Sequence, residues 1–356
     1  MLRPADCLTI KAGPIALQHL RQHGLQPEHV RMLVGASGGA KWLALTGIDR
    51  YILEEMAPRF DTPVHLLGSS IGCWRFACYA HPQPLQALNQ FRDGYIDEQY
   101  GDKPTAADIS RIGELMLRRM LGESNLAAIS HSDRYRLHFM TVQAHHLTAS
   151  ERRLPLAIGL GLALTANAIS RRGLRLCFTR ALVSDARLAP PAVNARDLPM
   201  QVIALNESNL IPAIMASSAI PFVMQGVRDM PGARRGLYRD GGIIDYHFDV
   251  PLSCDDGITL YPHFFPRLTP GWFDKRRPSR QPKPQHLDRV VLIAPSDRFA
   301  SQLPGGRLPD RSDFTTMPAD ERRQRWHRIV AECAQLGDAL GELIQTQRLV
   351  DVASPI

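Results

Sequence analysis

Short apolar runs alternate with amphipathic segments along the first part of the chain. The runs at residues 8–11, 30–35 and 64–68 have the length and composition of buried strands. Glycine- or proline-containing turns follow them, and residues 15–22 and 42–56 then have helical spacing. Alternation of strand, turn and helix is typical of a parallel sheet covered by helices. We therefore expect an α/β fold.

The rest of the chain continues with segments of both kinds. Residues 81–130 have mostly helical spacing, and residues 137–143 and 174–182 predict two more strands. A last buried strand is expected at residues 289–294, and an amphipathic helix at residues 320–349.

No internal repeat or domain boundary interrupts this order. We expect a single domain over residues 1–356, with a motif-bearing core at about 30–251 and a C-terminal extension at about 262–356. The extension begins with residues 262–285, which are rich in proline, arginine and lysine. We interpret them as an exposed loop that can touch anionic headgroups.

One apolar segment, residues 154–169, is rich in glycine, alanine and leucine and has a pair of arginines on each side. It is interrupted by Pro155 and Asn167 and is shorter than the roughly 20 residues that a membrane-spanning helix needs. We favour a buried or subunit-facing helix. The alternative is a helix in a lipid interface, with its basic ends against the headgroups.

Composition narrows the class of protein. The chain has 356 residues, of which 44% are hydrophobic and 22% charged, as is ordinary for a soluble globular protein. Its six cysteines are scattered and no apolar signal segment follows the N-terminus, so we expect a cytoplasmic protein, peripheral to a membrane at most. The net charge of +7 suits an anionic partner such as a phospholipid surface or nucleic acid; the alternative is an arginine-rich composition without a charged partner. No nucleic-acid-binding signature accompanies it, so we expect no nucleic acid as a partner.

Candidate chemistry begins at residues 68–72, a G-x-S-x-G pattern between an apolar run and a helix-compatible segment. This is the context of a nucleophile elbow, a sharp strand-to-helix turn that exposes its serine, here Ser70. The first amides of the following helix suit a developing oxyanion. A second glycine-rich turn at residues 35–39 lacks the spacings of nucleotide-binding loops, and we interpret its free amides as further oxyanion donors.

A carboxylate is expected on another tight turn, at residues 240–242, where Asp240 precedes two glycines at a strand end. Such a group is placed to act as a base on a serine hydroxyl. The alternative for Asp240 is an ordinary Asp-Gly turn. Residues 216–221, a run of small side chains ended by a proline, suit tight packing beside a site.

Taken in order, residues 37–41, 68–72, 216–221 and 240–242 resemble the motif set of the patatin-like phospholipase family. The resemblance implies a three-layer α/β/α fold with a mostly parallel central sheet. It also implies hydrolysis of lipid acyl esters, of the phospholipase A, lysophospholipase or esterase type. The chemistry is that of a Ser-Asp dyad that forms an acyl-serine without histidine, metal or other cofactor.

The resemblance also implies a role for individual residues. Ser70 corresponds to the nucleophile and Asp240 to the base that takes its proton. The oxyanion-hole amides correspond to those of Gly38, Gly39, Ala40 and Ile71.

Two features depart from the family pattern. Trp42 stands where the family usually has a glycine. In addition, residues 35–39 themselves satisfy G-x-S-x-G, so Ser37 is an alternative nucleophile. The oxyanion loop would then be residues 12–14, which are poor in glycine and include a proline without an amide. We therefore prefer Ser70.

Two other functions are left open by the sequence. An α/β-hydrolase esterase with a Ser-Asp-His triad would need a late histidine, for which His263 and His286 are the candidates. The non-enzymatic alternative is a catalytically weak or inactive patatin-fold protein that binds lipid or a partner.

Overall fold

The computed structural model describes residues 2–101, 103–254 and 257–356. Within them, eleven strands join one sheet. The strands are β1 Leu8–Ala12, β2 Val30–Gly35, β3 Val64–Ser69, β4 Tyr135–Ala144, β5 Phe178–Ser184, β6 Met200–Ala204, β7 Val227–Arg228, β8 Leu237–Asp240, β9 Ile258–Pro262, β10 Val290–Pro295 and β11 Ala353–Pro355.

Helices cover this sheet and give a three-layer α/β/α fold. They are α1 Pro4–Cys7, α2 Pro14–His23, α3 Thr46–Tyr51, α4 Ile71–Tyr79, α5 Pro84–Asp97, α6 Ala106–Leu121, α7 Leu126–Ser130, α8 Arg153–Ile169, α9 Glu207–Ser218, α10 Asp297–Gln302, α11 Asp313–Thr316, α12 Ala319–Gln345 and α13 Leu349–Val352.

The sheet is parallel through its middle. Its strand order is β11-β1-β10-β9-β2-β3-β4-β5-β6, with β8 added to β4 and β7 to β8. The run from β10 to β4 is parallel throughout, whereas β1 pairs antiparallel with β10, and β4 antiparallel with β5 and β8. Fully buried strands such as β3 and β10 agree with helices on both faces of a parallel sheet. The expected α/β fold with a mostly parallel sheet is confirmed.

Some elements differ from the expectations. Residues 42–56 do not form one α-helix, because a 3-10 helix at Gly39–Leu45 precedes α3 and a π-helical turn at Ile52–Met56 follows it. The segment packs against α12 with Gly47 and Gly337 backbone to backbone, a tertiary contact that helical spacing does not reveal. The short strands β6, β7, β9 and β11 were not expected either. β9 nevertheless lies between β10 and β2 at the centre of the sheet.

The structure bears on two expectations about exposure. Residues 154–169 do form a helix, α8, but only one side of it is buried. The helix carries apolar side chains on all its sides, so its sequence could not indicate which side faces outward. The expected exposed loop at 262–285 is partly interior, because His263, Phe264 and Phe273 are buried.

The C-terminal residues supply three strands of the same sheet, β9, β10 and β11. We therefore propose that they belong to one domain with the motif-bearing core. Across the described ranges, no helix combines the length and apolar character needed to cross a bilayer.

Candidate active site

Two strands run toward each other along the same edge of β4. β3 pairs in parallel with the first half of β4 and ends with Ser69 opposite Met140. β8 pairs antiparallel with the second half and ends with Asp240 opposite Thr141. Because Met140 and Thr141 are consecutive, the ends of the two strands meet. The next residue after β3, Ser70, therefore lies beside Asp240.

The turn from β3 into α4 is strained at its serine. Ser70 has a φ of 54° and a ψ of −124°, a left-handed conformation that is rare outside glycine and typical of a nucleophile elbow. The turn is fixed by two hydrogen bonds. The Ser70 amide donates to Ser217 Oγ at 2.8 Å, and the Cys73 amide donates to the Ser70 carbonyl at 2.9 Å.

Gly72, the second glycine of the G-x-S-x-G turn, packs against the backbone of β2 too closely to leave room for a side chain. A Cβ at Gly72 would lie 2.0 Å from the Gly35 carbonyl oxygen, so β2 and α4 would have to separate. We expect Gly72→Ala to lower the free energy of unfolding by about 3 kcal/mol or more, measured by urea denaturation.

Gly161 on α8 is the matched control, because a Cβ there would meet no atom within 4 Å. We expect Gly161→Ala to leave the free energy of unfolding unchanged or to raise it by up to about 1 kcal/mol. Similar effects of the two alanine substitutions would contradict the close contact at Gly72.

The hydroxyl of Ser70 and the carboxylate of Asp240 form a hydrogen bond. Ser70 Oγ donates to Asp240 Oδ2 at 2.9 Å, and the Gly242 amide donates to Oδ1 at 2.6 Å. Both carboxylate oxygens are therefore oriented. Burial raises the pKa of Asp240 to about 6, against the opposing effects of the Gly242 amide, the Ser70 hydroxyl and the charges of Arg311 and Lys275. Above that pH the carboxylate is ionised and able to accept a proton.

A buried ion pair fixes the turn that carries Asp240. Arg180 of β5 donates from Nε to Asp245 Oδ2 at 2.6 Å and from Nη2 to Oδ1 at 3.0 Å. The same guanidinium also donates to Asp197 at 2.8 Å. Bidentate geometry of this kind is specific in direction as well as strong. The Asp-Gly-Gly turn is thus attached to the sheet five residues after Asp240.

A cavity of about 940 Å³ contains Ser70 in its wall. That volume is in the range of small-molecule sites. Most of the wall is apolar, formed by Ile71, Trp74, Phe91, Ile109, Met116, Ile220, Phe222, Val223, Met224, Phe314 and Met317. The remaining wall carries charge from Glu98, Asp310, Arg311 and Arg322. The arrangement suits a ligand with an apolar chain and a polar end.

The four expected oxyanion donors divide into two groups. Gly39 and Ile71 line the cavity together with Ser70. Gly38 and Ala40 are not part of its wall within the described residues, and a side chain at Gly38 would start 2.3 Å from the Phe264 ring. The neighbouring Lys41 forms an ion pair with Asp310.

The alternative nucleophile, Ser37, has a different environment. It is buried, and its hydroxyl donates to Ser69 Oγ at 3.0 Å. Its amide donates to the Tyr246 carbonyl at 3.0 Å, and its backbone lacks the positive φ of Ser70. Among the described residues, the cavity wall contains Ser70 but not Ser37.

The two candidate triad histidines lie elsewhere. His263 is buried, its Nδ1 accepts from the Phe265 amide at 2.9 Å, and burial lowers its pKa to about 3. His286 Nδ1 lies 2.8 Å from Asp249 Oδ1. Over residues 2–101, 103–254 and 257–356, no histidine lines the cavity.

Sequence reasoning missed two residues of this site. Ser217 orients the elbow, since its Oγ accepts from the Ser70 amide and donates to the Met140 carbonyl at 2.6 Å. Its position within the small-residue segment was the available signal. Arg311 lies in the cavity wall with its Cβ 3.8 Å from the place of a Gly39 side chain. No local pattern around Arg311 indicates this, because it reaches the site from far along the chain.

Trp42, the departure from the family's glycine loop, is fully buried and supports the cavity wall. Its ring stacks on Phe91 with centroids 4.3 Å apart and meets Tyr95 edge to face at 6.0 Å. Both partners line the cavity. The large side chain therefore fills space behind the wall without entering the site.

A family model described as "Patatin-like phospholipase" matches residues 12–248 of this chain. No curated protein matches the sequence. Solved structures that are similar include human GIVD cytosolic phospholipase A2, at 12% identity and a TM-score of 0.30, with 95% of this chain and 65% of that chain covered. The same human enzyme in complex with methyl gamma-linolenyl fluorophosphonate and terbium chloride is similar at 12% identity and a TM-score of 0.34. That match covers 95% of this chain and 62% of that chain.

The heterodimeric ExoU-SpcU complex of the Pseudomonas aeruginosa type III secretion system is also similar, at 12% identity and a TM-score of 0.32. The match covers 96% of this chain and 54% of that chain. This chain therefore spans less than two thirds of the length of each of these structures.

Proposed function

The chain belongs to the patatin-like phospholipase family, and from that premise we propose that it is a serine lipid acyl hydrolase with Ser70 and Asp240 as its dyad. Family membership supports lipid acyl hydrolysis in general. The observation that supports this dyad is the 2.9 Å hydrogen bond from Ser70 Oγ to Asp240 Oδ2, in the wall of a largely apolar cavity.

The first half of the proposed reaction forms an acyl-serine. Asp240 takes the proton of Ser70 as Oγ attacks the carbonyl carbon of the ester. The electron pair of the C=O bond moves to oxygen. We assign its stabilisation to the amides of Gly39 and Ile71, the two expected donors whose residues line the cavity. Collapse of this intermediate breaks the bond to the alcohol, and the proton on Asp240 passes to the leaving oxygen.

The second half returns the enzyme to its starting state. Asp240, again a carboxylate, takes a proton from water, whose oxygen attacks the acyl carbon. The bond to Ser70 Oγ then breaks and the proton goes back to that oxygen, releasing the fatty acid. One carboxylate thus serves as base and acid in both steps, so the scheme needs no histidine.

The cavity supports an acyl ester with a long apolar chain. Aromatic and aliphatic side chains from α4, α5, α6 and the loop after α9 line it, which favours burial of hydrocarbon next to Ser70. Arg311 in the same wall favours a polar or anionic end of the substrate.

A fluorophosphonate probe with an alkyl chain tests the assignment directly. We expect covalent labelling at Ser70, located by mass spectrometry of proteolytic fragments, and no labelling of Ser70→Ala. The activated hydroxyl attacks phosphorus as it would an acyl carbon. A label on Ser37 would assign the nucleophile to the alternative motif. An inert protein would favour the non-enzymatic, lipid-binding alternative.

A further inference from the structure

One side of α8 exposes a row of large apolar side chains. Leu154, Ile158, Leu162 and Ile169 are between 49% and 84% exposed. Their spacing places them within one narrow stripe of the helix. Monomeric soluble proteins rarely expose a contiguous apolar patch of this kind unless it binds something.

The opposite side of α8 is firmly attached to the protein. Leu156, Leu160 and Ala163 are buried in a small hydrophobic cluster under the helix. Near its end, the side-chain Nδ2 of Asn167 donates to Asp274 Oδ1 at 2.8 Å. The exposed stripe is therefore not the inner face of a loosely docked helix. It is a fixed outer surface.

Positive charge lies at both ends of the stripe. Arg152 and Arg153 precede it, and Arg172 and Arg175 follow it; all four are exposed and form no ion pair within the described parts of the chain. The sequence contains no acidic residue from 152 to 184. In a symmetric pairing of two copies through this stripe, arginines would face arginines. Anionic headgroups complement the same pattern.

The N-terminal end of α8 is linked to a segment that continues into the cavity wall. Glu151, two residues before the start of α8, accepts from the Gly226 amide at 3.0 Å. The chain just before Gly226 forms cavity wall, including the exposed ring of Phe222. A surface that binds α8 therefore comes close to one rim of the cavity.

We propose that α8 is a docking surface for anionic lipid bilayers. Its apolar stripe enters the boundary between headgroups and acyl chains, and the four arginines contact the headgroups. The purpose of this docking depends on the proposed function, because a bound membrane would present lipid near the rim of the cavity. The docking itself does not require the dyad.

Vesicle flotation tests the docking. Wild type is expected to bind vesicles of equal parts phosphatidylcholine and phosphatidylglycerol, and to bind pure phosphatidylcholine more weakly. The double variant Ile158→Glu and Leu162→Glu is expected to lower the partition coefficient at least about 30-fold, because two apolar anchors become charged. Leu188→Glu with Val202→Glu is the matched control, since these side chains are 45% and 57% exposed and belong to other elements, the connection after β5 and strand β6. It should bind as wild type.

A second variant keeps the apolar stripe and removes charge. Arg153→Gln with Arg175→Gln is expected to weaken binding to the anionic vesicles about 30-fold and to affect binding to phosphatidylcholine little. Failure of wild type to bind, or equal loss in the variants and the control, would overturn the proposal. The proposal would also be overturned if wild type formed a dimer, bound no vesicles, and became monomeric in the Ile158→Glu and Leu162→Glu variant.

Hydrolysis of a short-chain p-nitrophenyl ester in solution separates this inference from the proposed function. The stripe variants are expected to keep that activity, whereas Ser70→Ala should lose it and still float with the vesicles. Vesicle binding without ester hydrolysis in wild type would reject the proposed function alone. Ester hydrolysis without vesicle binding would reject the docking alone.

Discussion

Replacing Ser70 with alanine is expected to lower kcat/KM for a lipid acyl ester about 10⁴-fold or more. The substitution removes the oxygen that would form the acyl-enzyme. Among the described residues that line the cavity, no other hydroxyl has both the strained elbow backbone and a carboxylate partner. Product formation from a fluorogenic phospholipid measures the loss. Circular dichroism and chemical denaturation show whether the variant is folded.

Ser37→Ala is the control for this experiment. Its hydroxyl donates to Ser69 Oγ rather than to Asp240, and it is not part of the cavity wall. We expect kcat/KM to stay within about tenfold of wild type, a change of about 1.4 kcal/mol in the barrier. A large loss in Ser37→Ala with an active Ser70→Ala would exchange the two roles.

The sequence could predict the two ends of this site but not how they meet. Strand, turn and helix patterns placed Ser70 on an elbow and Asp240 at a strand end. Their contact depends on β8 adding to β4 exactly where β3 stops, a register that no local pattern of residues encodes. Pairing between strands far apart in sequence is decided by tertiary packing, which outweighs local propensity.

Other parts of the site are invisible to sequence reasoning for a related reason. Ser217 lay within a segment that indicated tight packing, so its neighbourhood was predictable although its hydrogen bond to the Ser70 amide was not. Arg311 comes from the chain between β10 and α12, about 240 residues after Ser70 in the sequence. Nothing around it distinguishes it from the other arginines of a basic protein.

For α8 the sequence left two interpretations open, and burial decides only part of the question. The helix is apolar almost all round, so its periodicity could not identify the inner side. The structure provides the missing orientation, and the exposed stripe then coincides with the arginines that the sequence had already placed at each end. The lipid-interface interpretation is thus a proposal about one side of the helix.

Asp240 links catalysis to stability, because its burial raises the cost of its charge. With a pKa of about 6, the carboxylate is ionised only above that pH, so we expect wild-type kcat/KM to rise with pH and to level off above about pH 6. An aspartate with its ordinary pKa of 3.8 would place this rise in kcat/KM at far lower pH.

Asp240→Asn is expected to lower kcat/KM about 10⁴-fold and to abolish the rise with pH, measured over pH 4.5 to 8 with a neutral ester.

Asp240→Asn is also expected to raise the free energy of unfolding, because the pKa of Asp240 is higher in the folded state than in the unfolded chain. Because the folded pKa of Asp240 is raised from 3.8 to about 6, the folded state binds the proton more tightly than the unfolded chain does. Its contribution to stability is therefore present below pH 3.8 and is lost as pH rises through 6, a change of up to about 3 kcal/mol at about 1.4 kcal/mol per pKa unit. Asparagine carries no charge, and its side-chain oxygen retains an acceptor for the Gly242 amide.

We expect Asp240→Asn to exceed wild type in free energy of unfolding by up to about 3 kcal/mol at pH 8 and to differ little from it at pH 4, measured by urea denaturation. A destabilisation of the variant that is equal at both pH values would contradict the buried, costly carboxylate on which the proposed base depends.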